Sequence, residues 1–392
     1  MKHKIIFYQF FCMLILPVLT FPFAKNFIDT KNHENRQFAE KPQLSIQTLT
    51  SFPEQFENYF NDYLPYKNQL VMLNTMKEDA LGVGSTVLEY RTMSPVIRGK
   101  EDWLFYNAFS EEEHSFDDYM CNNLYEEAEL EKIADGYVKL QKELEKNGTE
   151  LVVLYVTNKE QIYPEYMPSD IVPESSYSRN EQLIDYMREK TDIPLLYTKD
   201  ALLEQKDKHR LFYKYDTHWN ALGGFVGTQV LNKYLQEECV SLDNVTYSAA
   251  DKAKVKDLAE MLAMGNVYTD DVEWQIEDYK KDVTVEIVEH IPEIEKFKFV
   301  SSAKDDRSVL VMMDSFGRYM MDYMIRDYKQ VTCLINVNEQ KVLSEFKKCY
   351  ESEYPDIVVL EILERRSAWQ ENVGDVLYQE LTGGSSIGKE VQ

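Results

Sequence analysis

Apolar positions recur at two spacings along this chain, and the alternation between them predicts the architecture. Short continuous runs rich in Val, Leu and Ile read as buried strands: Glu150–Val156, Ile193–Tyr197, Ser308–Met313, Gln330–Ile335 and Asp356–Ile362. Between them lie segments with helical spacing: Glu126–Lys146, stopped by Asn147-Gly148, then Asn180–Lys190, Ala221–Leu235, Phe316–Tyr328 and Glu339–Tyr350. Short apolar strands that alternate with helices predict an α/β fold, a mainly parallel sheet covered on both faces.

Three regions depart from that rhythm. Residues 240–305 read as an insertion: a helical piece over Ala250–Met264, an acidic stretch, then alternating residues around Val283–Val288 and Phe297–Val300 that suggest a hairpin. From Pro53 to about Ala80, Phe56, Tyr59, Phe60, Tyr63 and Leu64 form one apolar stripe that predicts a helix packed on the main body, ended by Gly82 and Gly84. Lys2 and Lys4 open the chain, and Ile5–Ala24 follows with no charged residue. A run of that size approaches the roughly 20 residues that span a bilayer. It reads as an uncleaved signal anchor, or else a signal peptide, and the basic start then leaves the remainder exported. The expected organisation is an anchor over 1–24, a stalk and helix over 25–95, a main domain over 96–378 and a frayed tail over 379–392.

Composition narrows the classes. With 44% apolar and 13% aromatic residues among 392, the chain can bury a sizeable core. Its 43 basic against 68 acidic side chains give a net charge of −25, which opposes binding to nucleic acid or to an anionic membrane surface. Five cysteines (Cys12, Cys121, Cys239, Cys333, Cys349) contain no C-x-x-C pair, so zinc ribbons and thioredoxin-like redox chemistry are disfavoured. They read as buried thiols, with Cys333 and Cys349 open to pairing.

The candidate chemistry sits at two junctions. Of six histidines, only His218 occupies an arranged setting, Tyr215-Asp216-Thr217-His218-Trp219-Asn220, just before a helix. Residues two apart on an extended segment share a side, so Asp216 can orient the imidazole and leave Nε2 free as a base. Read alone, the motif is more often a helix cap supplied by Asp216 or Asn220. The second junction is Asp314-Ser315-Phe316-Gly317, where a buried strand gives way to a helix. A serine there stands where α/β enzymes hold a nucleophile, beside N–H groups that can receive an oxyanion. A serine N-cap is the ordinary alternative. Together the two junctions supply nucleophile, base and orienter.

Asp216-Thr217-His218-Trp219 resembles the signature of the DHHW family, and Asp314-Ser315-Phe316-Gly317 its nucleophile segment. Further pieces agree in order: Glu34-Asn35-Arg36 with Ala39-Glu40-Lys41-Pro42, Phe56-Glu57 through Lys67, Gly99-Lys100-Glu101-Asp102-Trp103-Leu104-Phe105, and Asn158-Lys159 with Tyr163-Pro164-Glu165. The resemblance covers most of residues 34–366. Thr217 stands where the family name has His, and Met313 stands where the SGNH nucleophile block carries Gly. That family is related to the SGNH hydrolase-like domains of bacterial alginate O-acetylation proteins. The resemblance implies a three-layer flavodoxin-like (SGNH hydrolase-like) domain with Ser315 as nucleophile, His218 as general base and Asp216 as orienter.

The function so implied is an extracytoplasmic O-acetyltransferase, an acyltransferase of the bacterial cell envelope that modifies an exopolysaccharide or cell-wall glycan through an acyl-serine. An extracytoplasmic carbohydrate esterase (deacetylase) would use the same triad, and a non-catalytic glycan-binding or scaffold protein is the reading from another class. Phe316 N–H and Asn158 are the candidate oxyanion donors, and Trp219 is the candidate platform for a sugar; Trp103 fits core packing better. Lys159 and Arg318 read as contacts to an acidic polymer or donor, or as solvated charges. No metal site is expected, and no cofactor beyond an acetyl donor. The expected partners are a glycan acceptor and a multi-span membrane O-acyltransferase, with attachment to the cell membrane by the N-terminal anchor.

Overall fold

The computed structural model describes residues 38–44, 51–64, 67, 69–73, 94–108, 113–236, 239–335 and 340–383. The apolar run Ile5–Ala24, most of the stalk and the end of the tail lie outside these residues. The chain divides into two compact units. In the smaller one, helix Phe52–Asp62 stacks its own aromatic side chains, Phe52 on Phe56 at 5.9 Å and Tyr59 on Tyr63 at 4.6 Å, and Asp62 accepts a hydrogen bond from Ala39 N–H. The short helix Asp257–Met261 belongs to the same unit. Among the described residues no helix is long and apolar enough to cross a membrane.

The larger unit is built on a seven-stranded sheet. Strands β1 (Val96–Arg98) and β2 (Leu104–Tyr106) form a separate antiparallel ribbon. The main strands are β3 (Glu150–Val156), β4 (Leu195–Tyr197), β7 (Val285–Ile291), β8 (Lys296–Ser301), β9 (Asp305–Met313), β10 (Tyr328–Ile335) and β11 (Ile357–Leu363). A small ribbon pairs β5 (Tyr247–Lys252) with β6 (Val272–Ile276). The main sheet runs in the order β4-β3-β11-β9-β10-β8-β7. Its first five strands are parallel; β8 pairs antiparallel with β10, and β7 antiparallel with β8, so the sheet is mixed.

Period-2 alternation divides the core into two halves. Val309, Val311 and Met313 of β9 face one side with Val152, Leu154 and Val156 of β3; Leu310 and Met312 face the other with Leu151, Val153 and Tyr155. Helices Ala221–Leu235 and Arg318–Asp327 cover the first side. Helices Glu127–Glu145, Arg179–Lys190, Gln340–Glu353 and Val373–Thr382 cover the second. The result is three layers.

In the region 240–305 the expected hairpin forms, and β7 and β8 extend the main sheet through β10. The helix expected over Ala250–Met264 is shorter, Asp257–Met261, because Ala249 and Lys252 pair with Trp274 and Val272 instead. Pairing with a distant segment overrides local helical spacing there. Cys333 in β10 and Cys349 in helix Gln340–Glu353 are both buried free thiols, so the pairing left open by sequence does not occur.

Candidate active site

The carboxyl edge of the parallel strands gathers three segments. The first is a tight loop that carries Asp216 and His218. Tyr213 and His218 are joined by a backbone hydrogen bond of 3.1 Å, Asn220 N–H donates to Leu211 O at 2.9 Å, and Phe212 bridges Trp219. The tip is pinned from below by Lys159, which is buried and donates to the carbonyls of Tyr213 and Asp216 at 3.2 and 2.7 Å. It is pinned from the flank by Asp271, whose carboxylate receives Arg210 and the Lys214 N–H. Asn220 caps the next helix, its Oδ1 accepting from the N–H groups of Leu222 and Gly223 at 2.9 and 3.3 Å. Capping is therefore Asn220's work, and Asp216 is left for the imidazole.

The second segment is the turn after β9. Asp314 is the residue that organises it. Its Oδ1 accepts from Phe316 N–H at 2.8 Å and its Oδ2 from Leu363 N–H at 3.1 Å, while its own N–H donates to Glu361 Oε2 at 2.9 Å. Gly317 approaches so closely that an added Cβ would lie 2.5 Å from Met313 Cβ and 2.9 Å from Glu361 Oε2.

These two segments meet at one hydrogen-bonded chain. Ser315 Oγ lies 2.7 Å from His218 Nε2, and His218 Nδ1 lies 2.6 Å from Asp216 Oδ1. Asp216 Oδ1 also accepts from His218 N–H at 3.0 Å, and Thr217 Oγ1 stands 3.2 Å from Nδ1. The imidazole rests against the Phe316 ring at 4.7 Å. Asp216 is buried, while Ser315 and His218 are half-buried. A carboxylate on Nδ1 fixes the tautomer that leaves Nε2 as acceptor from the hydroxyl.

Three expectations are corrected. Trp219 is wholly buried, with its indole N–H donating to Phe316 O at 2.9 Å and its ring filling the space beside Gly223 and Gly227. It braces the Asp216–His218 loop against the Ser315 turn and has no free face for a sugar. Phe316 N–H is already committed to Asp314, so it does not serve an oxyanion. Lys159 is committed to loop carbonyls and is not a solvated charge. Arg318 pairs with Glu295 at the surface, and Trp103 stacks on Tyr166 at 4.6 Å inside the core.

The third segment was not found from sequence. Glu361, Glu364 and Arg365 lie at the carboxyl end of β11, the strand between β3 and β9. Glu364 Oε1 accepts from Asn158 N–H at 2.7 Å, and Arg365 Nη1 donates to Asn158 Oδ1 at 3.2 Å. Asn158 itself is buried and its Nδ2 has no partner among the described residues. Burial, and then the neighbouring Asp314 charge, push the Glu361 carboxyl well above the usual range. Burial also raises Glu364, and takes nearby Glu160 to about 8. The available signal was the charge itself: Glu361 interrupts an apolar strand, and a buried acid in a central strand asks for a reason.

The fold and this constellation define a three-layer α/β domain with a Ser-His-Asp chain at the carboxyl edge of its sheet, the class of the SGNH hydrolases. Residues 96–291 match the family model described as SGNH hydrolase-like domain, acetyltransferase AlgX, and the chain belongs to that family. The matched region holds Asp216 and His218 and ends before Ser315. A probable alginate O-acetylase AlgJ from Pseudomonas syringae pv. tomato is 28% identical over 143 residues, which is 36% of this chain and 34% of that protein, so the match spans about a third of the relative. Two solved structures are similar at a distance. The O-acetyltransferase domain of Pseudomonas putida AlgJ shares 16% identity and superposes with a TM-score of 0.46 over 74% of this chain and 99% of that one. A DHHW family protein from Eubacterium siraeum shares 11% identity, with a TM-score of 0.48 over 74% and 94%.

Proposed function

We propose that this chain is an O-acetyltransferase that moves an acetyl group onto a hydroxyl of an extracellular polysaccharide through an acetyl-Ser315 intermediate. The observation that carries the reading is the continuous chain from Ser315 Oγ to His218 Nε2 and from His218 Nδ1 to Asp216, at 2.7 and 2.6 Å. Family membership supports the acyl chemistry, and the name of the AlgJ relative, a probable alginate O-acetylase, supports a polysaccharide acceptor.

In the first half-reaction Ser315 Oγ attacks the acetyl carbonyl carbon as its proton passes to His218 Nε2. Asp216 stabilises the imidazolium. The tetrahedral oxyanion collapses, the bond to the donor's leaving oxygen breaks, and that oxygen takes the proton from Nε2. In the second half-reaction Nε2 accepts the proton of a sugar hydroxyl as its oxygen attacks acetyl-Ser315. Collapse returns the proton to Ser315 Oγ and releases the acetylated sugar. Backbone N–H of Ser315 is the donor offered to the oxyanion, since the Asn158 Nδ2 is enclosed.

The apolar run Ile5–Ala24 behind Lys2 and Lys4 supports placing this domain on the outer face of the cell membrane, beside a multi-span acyltransferase that supplies acetyl groups. Water reaching acetyl-Ser315 instead of a sugar would make the same site an esterase. The test is incubation with an acetyl ester, with and without polysaccharide, followed by intact mass. A Ser315-linked acetyl adduct that discharges faster when glycan is present, with acetylated glycan as product, is expected. Wild type that forms no adduct, or Ser315→Ala that still acetylates glycan, would sink the proposal; discharge to water alone would leave the esterase.

A further inference from the structure

We propose that the cavity between β6 and helix Arg318–Asp327 is a subsite that holds a further sugar unit of the acceptor glycan. The inference rests on the acyl-transfer reading above and supplies an acceptor contact that the enclosed Trp219 does not offer. The helix begins three residues after Ser315. Tyr319, Asp322, Tyr323 and Arg326 fall on it at i, i+3, i+4 and i+7, and so share one face. At the end nearest the triad, the half-buried Tyr319 ring lies 6.0 Å from the rings of His218 and Tyr213. One turn further on, Asp322 and Tyr323 line a cavity of about 330 Å³ together with Trp274, Gln275 and Ala221. Ala221 stands three residues after His218, and Tyr323 OH donates to its carbonyl at 3.0 Å, which ties the cavity wall to the segment that carries the imidazole. Asp322 lies about 6 Å along the helix axis from Arg318, so the cavity is within reach of the same glycan chain that presents a hydroxyl to Ser315.

The chemistry of the walls fits a sugar, which has an apolar C–H face and a rim of hydroxyls. Tyr323 and the half-buried Trp274, set edge-to-face on Tyr247 at 5.6 Å, give the aromatic wall. Asp322 and Gln275 are exposed, and neither side chain makes a hydrogen bond among the described residues. They offer hydroxyls a carboxylate acceptor and an amide that both donates and accepts. Apolar walls with a few polar groups are the make-up of a small-ligand pocket, and this volume is at the small end of that class. Arg326, at the far end, also lines a second cavity of about 810 Å³ with Lys280, Lys304 and Arg307. Two cavities in line along one helix suit a polymer rather than a single monosaccharide.

The test uses the full-length chain carrying Ser315→Ala, which binds without turnover, and three probes: cellohexaose, hexa-N-acetylchitohexaose and a hexauronate. Each is titrated against intrinsic tryptophan fluorescence, beside its monosaccharide. A saturable change with at least one hexasaccharide is expected, with binding at least about 10-fold weaker for the monosaccharide. Trp274→Phe in the same background should remove most of that change, since Trp103 and Trp219 are buried. Asp322→Ala should raise Kd about 10-fold, as loss of a hydrogen bond to a charged group does, and Gln275→Ala about 3-fold. Both side chains are exposed, so these two variants keep the test decisive should Trp274→Phe fail to fold. With Ser315 intact, Asp322→Ala should raise KM for the bound hexasaccharide rather than lower kcat. No binding by any hexasaccharide, or binding that Asp322→Ala and Gln275→Ala leave unchanged, would overturn the inference. The acyl-transfer reading would survive that result if wild type still labels with a fluorophosphonate and takes acetyl from p-nitrophenyl acetate. Wild type that does neither would overturn that reading, and this inference with it.

Discussion

Trp219 and Gly317 show how single residues decide the geometry. Trp219 ties the Asp216–His218 loop to the Ser315 turn through its bond to Phe316 O. Trp219→Phe should cost about 1–2 kcal/mol of stability through the lost bond and repacking, and should lower kcat with little change in KM for glycan. A rise in KM alone would instead mark Trp219 as a sugar contact. Gly317 has no room for a side chain, since an added Cβ would meet Met313 Cβ at 2.5 Å. Gly317→Ala must therefore shift the turn that presents Ser315. We expect slower labelling of Ser315 by at least about 10-fold, because misplacing a reacting atom by about 1 Å can cost about 100-fold. Labelling at the wild-type rate would show that the turn tolerates the displacement.

At the scale of elements, β11 is the organiser of the site. It lies between the strand that ends at Ser315 and the strand that ends at Asn158, and its charged residues reach both. Glu361 accepts the Asp314 N–H at the base of the nucleophile turn, in a setting that raises its pKa by burial and by the Asp314 charge. A neutral amide can replace a neutral acid there, whereas an alkyl group leaves a buried N–H unmatched. Glu361→Gln should retain activity within about 3-fold, and Glu361→Leu should lose about 1–3 kcal/mol of stability together with most of kcat. Equal stability and activity in the two variants would show that β11 supports the turn by shape alone.

The whole molecule carries buried acids whose titration sets how its stability responds to pH. Glu160 is buried, and burial raises its pKa from 4.5 to about 8. The folded state therefore holds this proton more tightly than the unfolded chain. Its contribution is full below about 4.5 and is lost as pH rises toward about 8. The melting temperature should fall across that window by an amount that Glu160→Gln reduces, and the variant should gain more at pH 8 than at pH 5. A variant with the wild-type pH slope would refute the assignment. The described cysteines are all free thiols, three of them buried. A reductant should accordingly leave the unfolding midpoint unchanged, which a pair of thermal scans can check.

The sequence by itself determined the layered fold, because apolar runs of strand length between helical segments leave few ways to bury both faces of a sheet. It also singled out Ser315, His218 and Asp216, which the fold brings into hydrogen-bond distance, since each stands at a junction that local spacing marks: a strand end, a helix start, an i,i+2 pair. It misplaced roles that depend on contacts between distant segments. Trp219 and Phe316 look available in sequence, and only packing shows the indole enclosed and the N–H taken by Asp314. The Ala250–Met264 spacing is helical until β6 arrives to pair with part of it. The β7–β8 hairpin is legible in sequence, but its hydrogen bonds to β10 are not. Glu361, Glu364 and Arg365 carry no local pattern at all. Their partners lie about 200 residues away in the chain in one direction and about 50 in the other, and only the order of strands in the sheet brings those partners together.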